Sequence, residues 1–549
     1  MHTLSVGTRT QFVICLAGHI DHGKSALVHA LTGGTVDRLP EEKRRGITIE
    51  LGFSHFDDNG SRFALIDVPG HERFIHTMVA GASGVDAALL IIAADDSVMP
   101  QTREHLALLE LLGVRRGVIA ITKCDLADKE QLELVNLEVD ELVESTFLAE
   151  MPRIEVSIPA RQGIAEVKKA LIDTTRSSPV RPTNDPRFRL PIDRAFSATG
   201  QGAVVTGTVW RGTARVGDTL QLLPDAAKVR VRRLQSQGVD VEQVSAGERA
   251  AINLVGIKSS AIRRGDELTT PDAFESSCRH IAQLRILSDA TRGLKHRQPV
   301  RVHLGANQAT AQVLMSQRTV APGESAFAIL RCETPIVAEY GQPFVLRQLS
   351  PARTIGGGTI IGPAIRSTVR QNRCLAAAAG LSSVDARERL AAYIDLHREA
   401  TFDETAESWI GLNRAQCETV LGELEMRGDI VRIPSTPESF VTGQRFQQLK
   451  ARMIARCQAE LERRRPASLV PLSVVLSAMK RLASPAVLDA LLAAMTKSRE
   501  IVRRDTRIGL SSGPELSNRQ RDTLTTLATE VASAGPTPPS LKEFAELHG

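Results

Sequence analysis

Between Phe12 and Thr32 the chain reads FVICLA, then GHIDHGKS, then ALVHALT. An apolar run, a glycine-flanked octapeptide (Gly18 to Ser25) and a helical pattern follow one another without spacing. This order is a strand, a phosphate loop and a helix. The glycines allow backbone N–H groups to close around phosphate oxygens at the start of a helix, where the peptide dipoles favour an anion. Gly18, His19, Ile20, Asp21, His22 and Gly23 form the loop. Lys24 reaches the β and γ oxygens, and the Ser25 hydroxyl is a ligand for Mg²⁺. No other stretch restricts the possible folds as much, because such a loop needs a parallel sheet behind it.

Further motifs follow in order. Arg45-Gly46-Ile47-Thr48 lies in a polar segment and offers Thr48 as a second hydroxyl on Mg²⁺. Phe63–Ile66 reads as a buried strand ending in Asp67-Val68-Pro69-Gly70-His71. There Asp67 can hold the metal through water and Gly70 can offer its N–H to a γ-phosphate. The apolar runs Ala87–Ala94 and Gly117–Ile121 read as further strands. The second leads into Thr122-Lys123-Cys124-Asp125, where Asp125 suits the guanine N1 and N2 donors and Lys123 lies under the base.

Together these residues resemble the translational GTPases, of which the aminoacyl-tRNA carrier EF-Tu is the familiar case. The resemblance implies a parallel sheet with helices on both faces, with GTP and GDP as the nucleotides. It implies that His71 positions the attacking water, with Ile20 and Ile47 as an apolar gate. It also implies that Ser157 and Ile158 carry the backbone contact to the base. One departure is Thr122, where the family has asparagine, and the expected consequence is loss of an amide that braces the loop.

SSPVRPTNDP, from Ser177 to Pro186, reads as a linker. Beyond it, short alternating strands separated by Gly and Asp turns replace helical periodicity and predict two β-barrels, 186–270 and 277–366. Gly202–Val209 (GAVVTGTV) and Arg353–Gly358 (RTIGGG) resemble the second and third domains of the EF-Tu class. Domain two of that class usually opens with paired acids, whereas this chain has Asp193-Arg194. The carrier's A-G-E-N is here A-G-E-R, ending in Arg249. Both positions border the pocket for the esterified amino acid. Two arginines suit an anion, and a selenol is markedly more acidic than a thiol, whose pKa is about 8.5. The arrangement resembles the selenocysteine-specific elongation factors, the SelB family, as does the run Asp37–Ile49; a threonine in T-K-x-D also occurs there. The alternative is that Arg194 and Arg249 are surface residues paired with Asp193 and Glu248.

After Ile365 the texture turns helical, and helix-helix-helix-hairpin patterns predict winged-helix repeats. The fold expected is multidomain: an α/β P-loop GTPase domain (1–177), the two β-barrels, then C-terminal winged helices, all-α with small β wings. The repeats span 384–443 and 444–515, and 516–549 reads as a partial third copy that ends early, either a fragment or a natural variant. In the SelB family the last pair of such modules grips an mRNA hairpin, so a short tail leaves that partner in doubt. The basic runs Arg463-Arg464-Arg465 and Arg503-Arg504 are candidate phosphate contacts or solvated faces.

At 549 residues, roughly three to five domains are expected. Seven scattered cysteines without a Cys-x-x-Cys argue against a disulfide framework or zinc site. No apolar run reaches the ~18 residues of a membrane span. These features predict a soluble, cytoplasmic protein, and the resemblance to the SelB family implies a monomer that takes GTP and Mg²⁺ and delivers selenocysteyl-tRNA to the ribosome at recoded UGA codons. Two other functions stay open: a general aminoacyl-tRNA carrier or other EF-Tu-like GTPase, and a non-hydrolysing RNA-binding regulator.

Overall fold

The computed structural model describes residues 11–33, 52–68, 78–79, 84–176, 185–198, 202–236, 238–363, 365, 369–402, 404–465, 467–511, 518–535, 538 and 540–548. They form two compact units, residues 1–396 with 402–420, and residues 397–401 with 421–549.

The first unit opens with a six-stranded sheet. In chain order the strands are β1 (Gln11–Gly18), β2 (Gly52–Asp58), β3 (Ser61–Asp67), β4 (Ala87–Ala93), β5 (Gly117–Thr122) and β6 (Arg153–Glu155). Their spatial order is β2-β3-β1-β4-β5-β6, and only β2 runs antiparallel to its neighbour. Every residue of β4 and β5 is buried, because helices cover both faces of the sheet. This explains the unbroken apolar runs AALLIIA and GVIAIT, where a one-sided sheet would show alternation. The helices are α1 (Lys24–Thr32), α2 (Pro100–Leu111), α3 (Lys129–Val143) and α4 (Ile164–Arg176).

Two β domains follow. In the first, eight strands form one antiparallel sheet. β7 (Arg189–Pro191) continues into β8 (Arg194–Ala198), which pairs with β9 (Gly202–Thr208). The Asp193 N–H donates to the Thr206 carbonyl at 2.9 Å and draws the two ends of the sheet together. Gly207 is required at this crossing, since a Cβ there would sit 2.2 Å from the Pro191 carbonyl oxygen. The second domain is a closed six-stranded barrel between Ser276 and Gly362.

A fully buried guanidinium joins the β domains. Arg189 donates to Glu267 at 2.6 and 2.9 Å and to Gln342 at 3.1 Å, and it pairs with Glu339 at 3.2 Å. The faces of Trp210 and Phe274 lie 5.0 and 5.4 Å away. A charge removed from water in this way persists only with such partners. The closed barrel also meets the nucleotide domain, for Thr354 donates to Glu104 of α2 at 3.1 Å.

After the barrel comes α5 (Gln371–Leu381), a helix that the sequence pattern does not announce. Its buried Cys374, Ala378 and Leu381 recur at four- and three-residue spacing, but alanine dominates and weakens the apolar signal. Then follow α6 (Ala386–His397), α7 (Glu404–Ile410) and α8 (Arg414–Met426). In the second unit, Ala400–Thr401, Ser439–Thr442 and Ile430–Ile433 form a three-stranded sheet in that order. The remaining helices are α9 (Gly443–Arg463), α10 (Leu472–Met479), α11 (Pro485–Lys497), α12 (Asn518–Ser533) and α13 (Leu541–His548). A second small sheet is formed by Val470–Pro471, Arg507–Leu510 and Ile501–Arg504 in that order. Its core shares Ile433 and Val441 with the preceding hairpin. No helix among the described residues is long and apolar enough to cross a membrane.

Candidate functional site

β1 ends in Gly18 at φ 142, where a Cβ would lie 2.2 Å from the Ile91 carbonyl oxygen of β4. Only glycine lets the chain leave the sheet there. Gly23, at φ 79, is the N-cap of α1 and supplies no side chain to the helix amides, while the first turn holds no acid. The amides at this helix start are therefore matched to an anion.

Three side chains hold the loop from behind. His105 of α2 accepts the Gly18 N–H on Nδ1 at 3.1 Å. Burial, and then the nearby Lys24 charge, pushes its imidazole down to about 3, so it stays a neutral acceptor. His22 is fully buried and accepts the Ala93 N–H on Nδ1 at 3.2 Å. Burial and His19 lower it to about 4, and its ring meets that of His19 edge-on at 5.1 Å. His22 thus anchors the loop with its side chain. Thr122 is the third: its hydroxyl donates to the His22 carbonyl at 2.7 Å. The loss of a brace expected from threonine in place of asparagine does not occur, since the hydroxyl spans from β5 to the loop directly.

The reactive face lies opposite. Lys24 donates to the carbonyls of Gly18 and His19, at 3.2 and 2.5 Å. Burial pulls its ammonium below the ordinary range, against the opposing charges of Asp67 and Asp21. Ser25 donates to Asp67 at 2.8 Å, so a hydroxyl and a buried carboxylate meet at the end of β3. This pair of hard oxygen donors fits Mg²⁺ beside phosphates. Asp21 is exposed at φ 63, and His19 and Ile20 are half-buried on the same loop.

At the base end, Lys123 takes a left-handed conformation at φ 57 and its ammonium pairs with Asp95 at 2.8 Å. Asp125 follows in a short 3-10 turn, exposed. The Cys124 N–H donates to the Val156 carbonyl at 3.3 Å, which ties this segment to Ser157 and Ile158. Ser157 is buried and accepts the Ala160 N–H at 3.3 Å. Ile47, Thr48, Gly70 and His71 lie outside the described residues.

The second cluster forms where the first β domain meets the nucleotide domain. Gln11 of β1 donates to the Gly247 carbonyl at 2.8 Å. Arg249 begins the strand Arg249–Val255, forks onto both oxygens of Asp193, one at 3.0 Å, and lies 3.8 Å from the centre of the Phe53 ring on β2. Thr206 donates to Asp193 at 2.7 Å. Arg194, exposed on β8, is the cross-strand partner of Thr206. The structure thus brings Asp193 and Arg249 together and sets Arg194 on the adjoining strand position. Glu248 takes no part in the fork; burial raises its carboxyl.

Sequence reasoning did not single out His105, Phe53 or Thr206. His105 sits at a core-facing position of an amphipathic helix, and Thr206 lies inside GAVVTGTV, yet neither motif reveals its partner. Phe53 carries no local signal.

Comparison with known proteins agrees with this architecture. Residues 10–177 match the Elongation factor Tu GTP binding domain, 202–269 match Elongation factor Tu domain 2, and 281–367 match the selenocysteine-specific elongation factor beta-barrel domain. A selenocysteine-specific elongation factor of Desulfomicrobium baculatum is 40% identical over 382 residues, which are 69% of this chain and 60% of the relative. The chain therefore spans less than two thirds of that relative's length. One from Methanocaldococcus jannaschii is 31% identical over 63% of this chain and 78% of its own. In fold, the chain matches a crystal structure of a bacterial selenocysteine-specific elongation factor with a TM-score of 0.75, at 23% identity, over 98% of this chain and 87% of that one. With the Methanocaldococcus jannaschii relative covered over 78% of its length at 31% identity and a SelB-type barrel at 281–367, the chain is a member of the selenocysteine-specific elongation factor family, built on the EF-Tu framework.

Proposed function

We propose that this chain is a cytoplasmic, monomeric GTPase that binds selenocysteyl-tRNA and delivers it to the ribosome at recoded UGA codons. The observation that carries the cargo assignment is the position of Arg249, half-buried at the seam, forked onto Asp193 and stacked on Phe53. Leaving water has already cost this guanidinium its hydration, and Asp193 offsets that cost. A selenolate placed between Arg249 and Arg194 meets two guanidiniums against the one carboxylate of Asp193, so the side chain enters a site of net positive charge. Serine and cysteine side chains arrive neutral and gain nothing comparable, so discrimination follows from charge.

In the nucleotide site, Lys24 releases the Gly18 and His19 carbonyls to hold the β and γ oxygens, while the α1 amides and Gly70 complete the cradle. Ser25, Thr48 and, through water, Asp67 would hold Mg²⁺, whose charge neutralises the phosphates. Asp125 reads guanine, and the backbone at Ser157 and Ile158 closes over the base. His71 orients the attacking water behind the gate of Ile20 and Ile47. Little covalent chemistry is asked of the protein, so rate comes from positioning, and the ribosome triggers hydrolysis by ordering these groups.

The test is protection of the aminoacyl ester from hydrolysis, with GTP present, for selenocysteyl, cysteinyl and seryl groups all charged on the same selenocysteine tRNA. Selective protection of the first is expected, lost when Arg194→Ala and Arg249→Ala are combined. Equal protection of all three removes the anion pocket and leaves a general carrier.

A further inference from the structure

Three loops leave the carboxyl ends of β1, β4 and β5, the edge of an open parallel sheet at which ligands bind. Each holds one non-glycine residue in the left-handed conformation: Asp21 at φ 63, Ser97 at φ 59 and Lys123 at φ 57. Asp21 belongs to the phosphate loop and Lys123 to the base end. Ser97 lies in the third loop, Asp95 to Met99, which carries none of the nucleotide motifs. A residue with a Cβ avoids this region, and backbone held there clusters at functional sites.

What holds Ser97 there is a clasp from α3. Its N–H donates to the Ala93 carbonyl at 2.9 Å and closes the turn, while its hydroxyl donates to Glu138. The Val98 N–H approaches the same carboxylate oxygen at 3.5 Å. Glu138 projects from the middle of α3, 41 residues further along the chain, so the clasp is tertiary. A hydrogen bond to an ionised carboxylate is roughly twice as strong as a neutral one, which suits it to hold a strained turn.

The turn so fixed reaches the nucleotide site at three points. Asp95 pairs with Lys123, the residue assigned to the face of the base, at 2.8 Å. Asp96 stands 4.0 Å from both Lys123 Nζ and His22 Nε2, between the base end and the phosphate loop. Two residues after Ser97, Met99 caps α2 and Pro100 opens it. That helix carries His105, whose Nδ1 accepts the Gly18 N–H at 3.1 Å. Asp95 and Asp96 are exposed, so the turn, rather than packing, sets where their carboxylates stand.

We propose that Ser97 is a positioning residue for the nucleotide, and that its clasp with Glu138 sets how long GDP stays bound. The proposal rests on the reading of Lys123 and the phosphate loop as the two ends of the nucleotide site. It makes α3 a point of control, since that helix starts shortly after Asp125 and reaches the neighbouring loop again through Glu138.

The experiment measures dissociation of mant-GDP from the full chain by chase with unlabelled GDP, beside a thermal melt of each variant. Ser97→Ala removes the hydroxyl and keeps the strain; Glu138→Ala removes its partner. Both should release GDP about 3- to 10-fold faster, since part of a charge-assisted hydrogen bond is lost to the site. Glycine takes a left-handed φ freely, so Ser97→Gly/Glu138→Ala needs no clasp and should return toward the wild-type rate. A contact that only stabilises the domain would show no such rescue. Unchanged dissociation in Ser97→Ala and Glu138→Ala overturns the proposal, even where both melt lower. A glycine double variant as fast as Glu138→Ala alone overturns it too. A wild-type chain that binds no mant-GDP removes the nucleotide site and the proposal with it, whereas wild-type binding with unaltered variants removes the clasp alone.

Discussion

Replacing Thr122 with valine tests the brace behind the phosphate loop. The side chain is fully buried and donates to the His22 carbonyl at 2.7 Å, with a weaker approach to the Ile92 carbonyl at 3.4 Å. Thr122→Val keeps the shape and removes the donor, leaving a buried carbonyl without its partner. That costs about 1–3 kcal/mol. Part of the cost falls on the whole domain. The rest falls on the loop conformation, because His22 lies between Asp21 and Gly23, whose backbone must hold its shape around phosphates. If 1–2 kcal/mol of it is needed to keep the binding shape, the nucleotide Kd should rise roughly 5- to 30-fold. Titration with a fluorescent GDP analogue, beside a thermal melt, reads both parts. Thr122→Ser retains the hydroxyl and should stay close to wild type in affinity. Valine with unchanged Kd and unchanged melting would refute the brace, and so would a serine variant as damaged as valine.

Two other outcomes are expected. His71→Ala should leave GTP binding intact and suppress ribosome-stimulated turnover; unchanged turnover removes the water-positioning role. The buried histidines also predict a pH dependence. His105 and His22 are held neutral in the fold, down to about 3 and about 4, whereas both titrate near 6.5 when unfolded. The unfolded chain therefore binds more protons below 6.5, and stability is lost as pH falls from there toward the folded values. At pH 5 the loss is about 2 kcal/mol for each histidine. Melting temperatures from pH 7 to pH 5 should fall, and His105→Asn, which keeps an acceptor for the Gly18 N–H, should flatten the curve. A flat wild-type profile would count against the buried neutral pair.

The phosphate loop was legible because its requirements are local. Gly18 must leave β4 untouched, Gly23 must turn left-handed, and Lys24 and Ser25 must open a helix, all within eight residues. The strands β4 and β5 were equally plain, since burial on both faces writes an unbroken apolar run. The helix α5 was missed because CLAAAAGL buries small residues whose pattern barely differs from that of an exposed helix. Asp193 and Arg249 were named from their motifs as pocket residues; the pairing of Arg249 with Asp193 that the structure shows belongs to the other reading of the same motifs, in which these charges answer one another.

What the sequence by itself determined, then, is the groups available: a glycine-flanked loop that opens a helix with Lys24 and Ser25, Asp125 just after a buried strand, and Arg194 and Arg249 in their motifs, each specified by neighbours along the chain. What the tertiary structure decided is which groups meet. Thr122 reaches His22 across 100 residues, His105 reaches Gly18 across 87, and Arg249 reaches Asp193 across 56. The same holds for the basic runs, which look alike as text. Glu460, in the last turn of α9, gathers Arg456, Arg463 and Arg464 around one carboxylate, while the hairpin register sets Arg504 directly opposite Arg507. Charge is carried by composition, but its compensation depends on distance, and distances between remote residues exist only once the chain has folded.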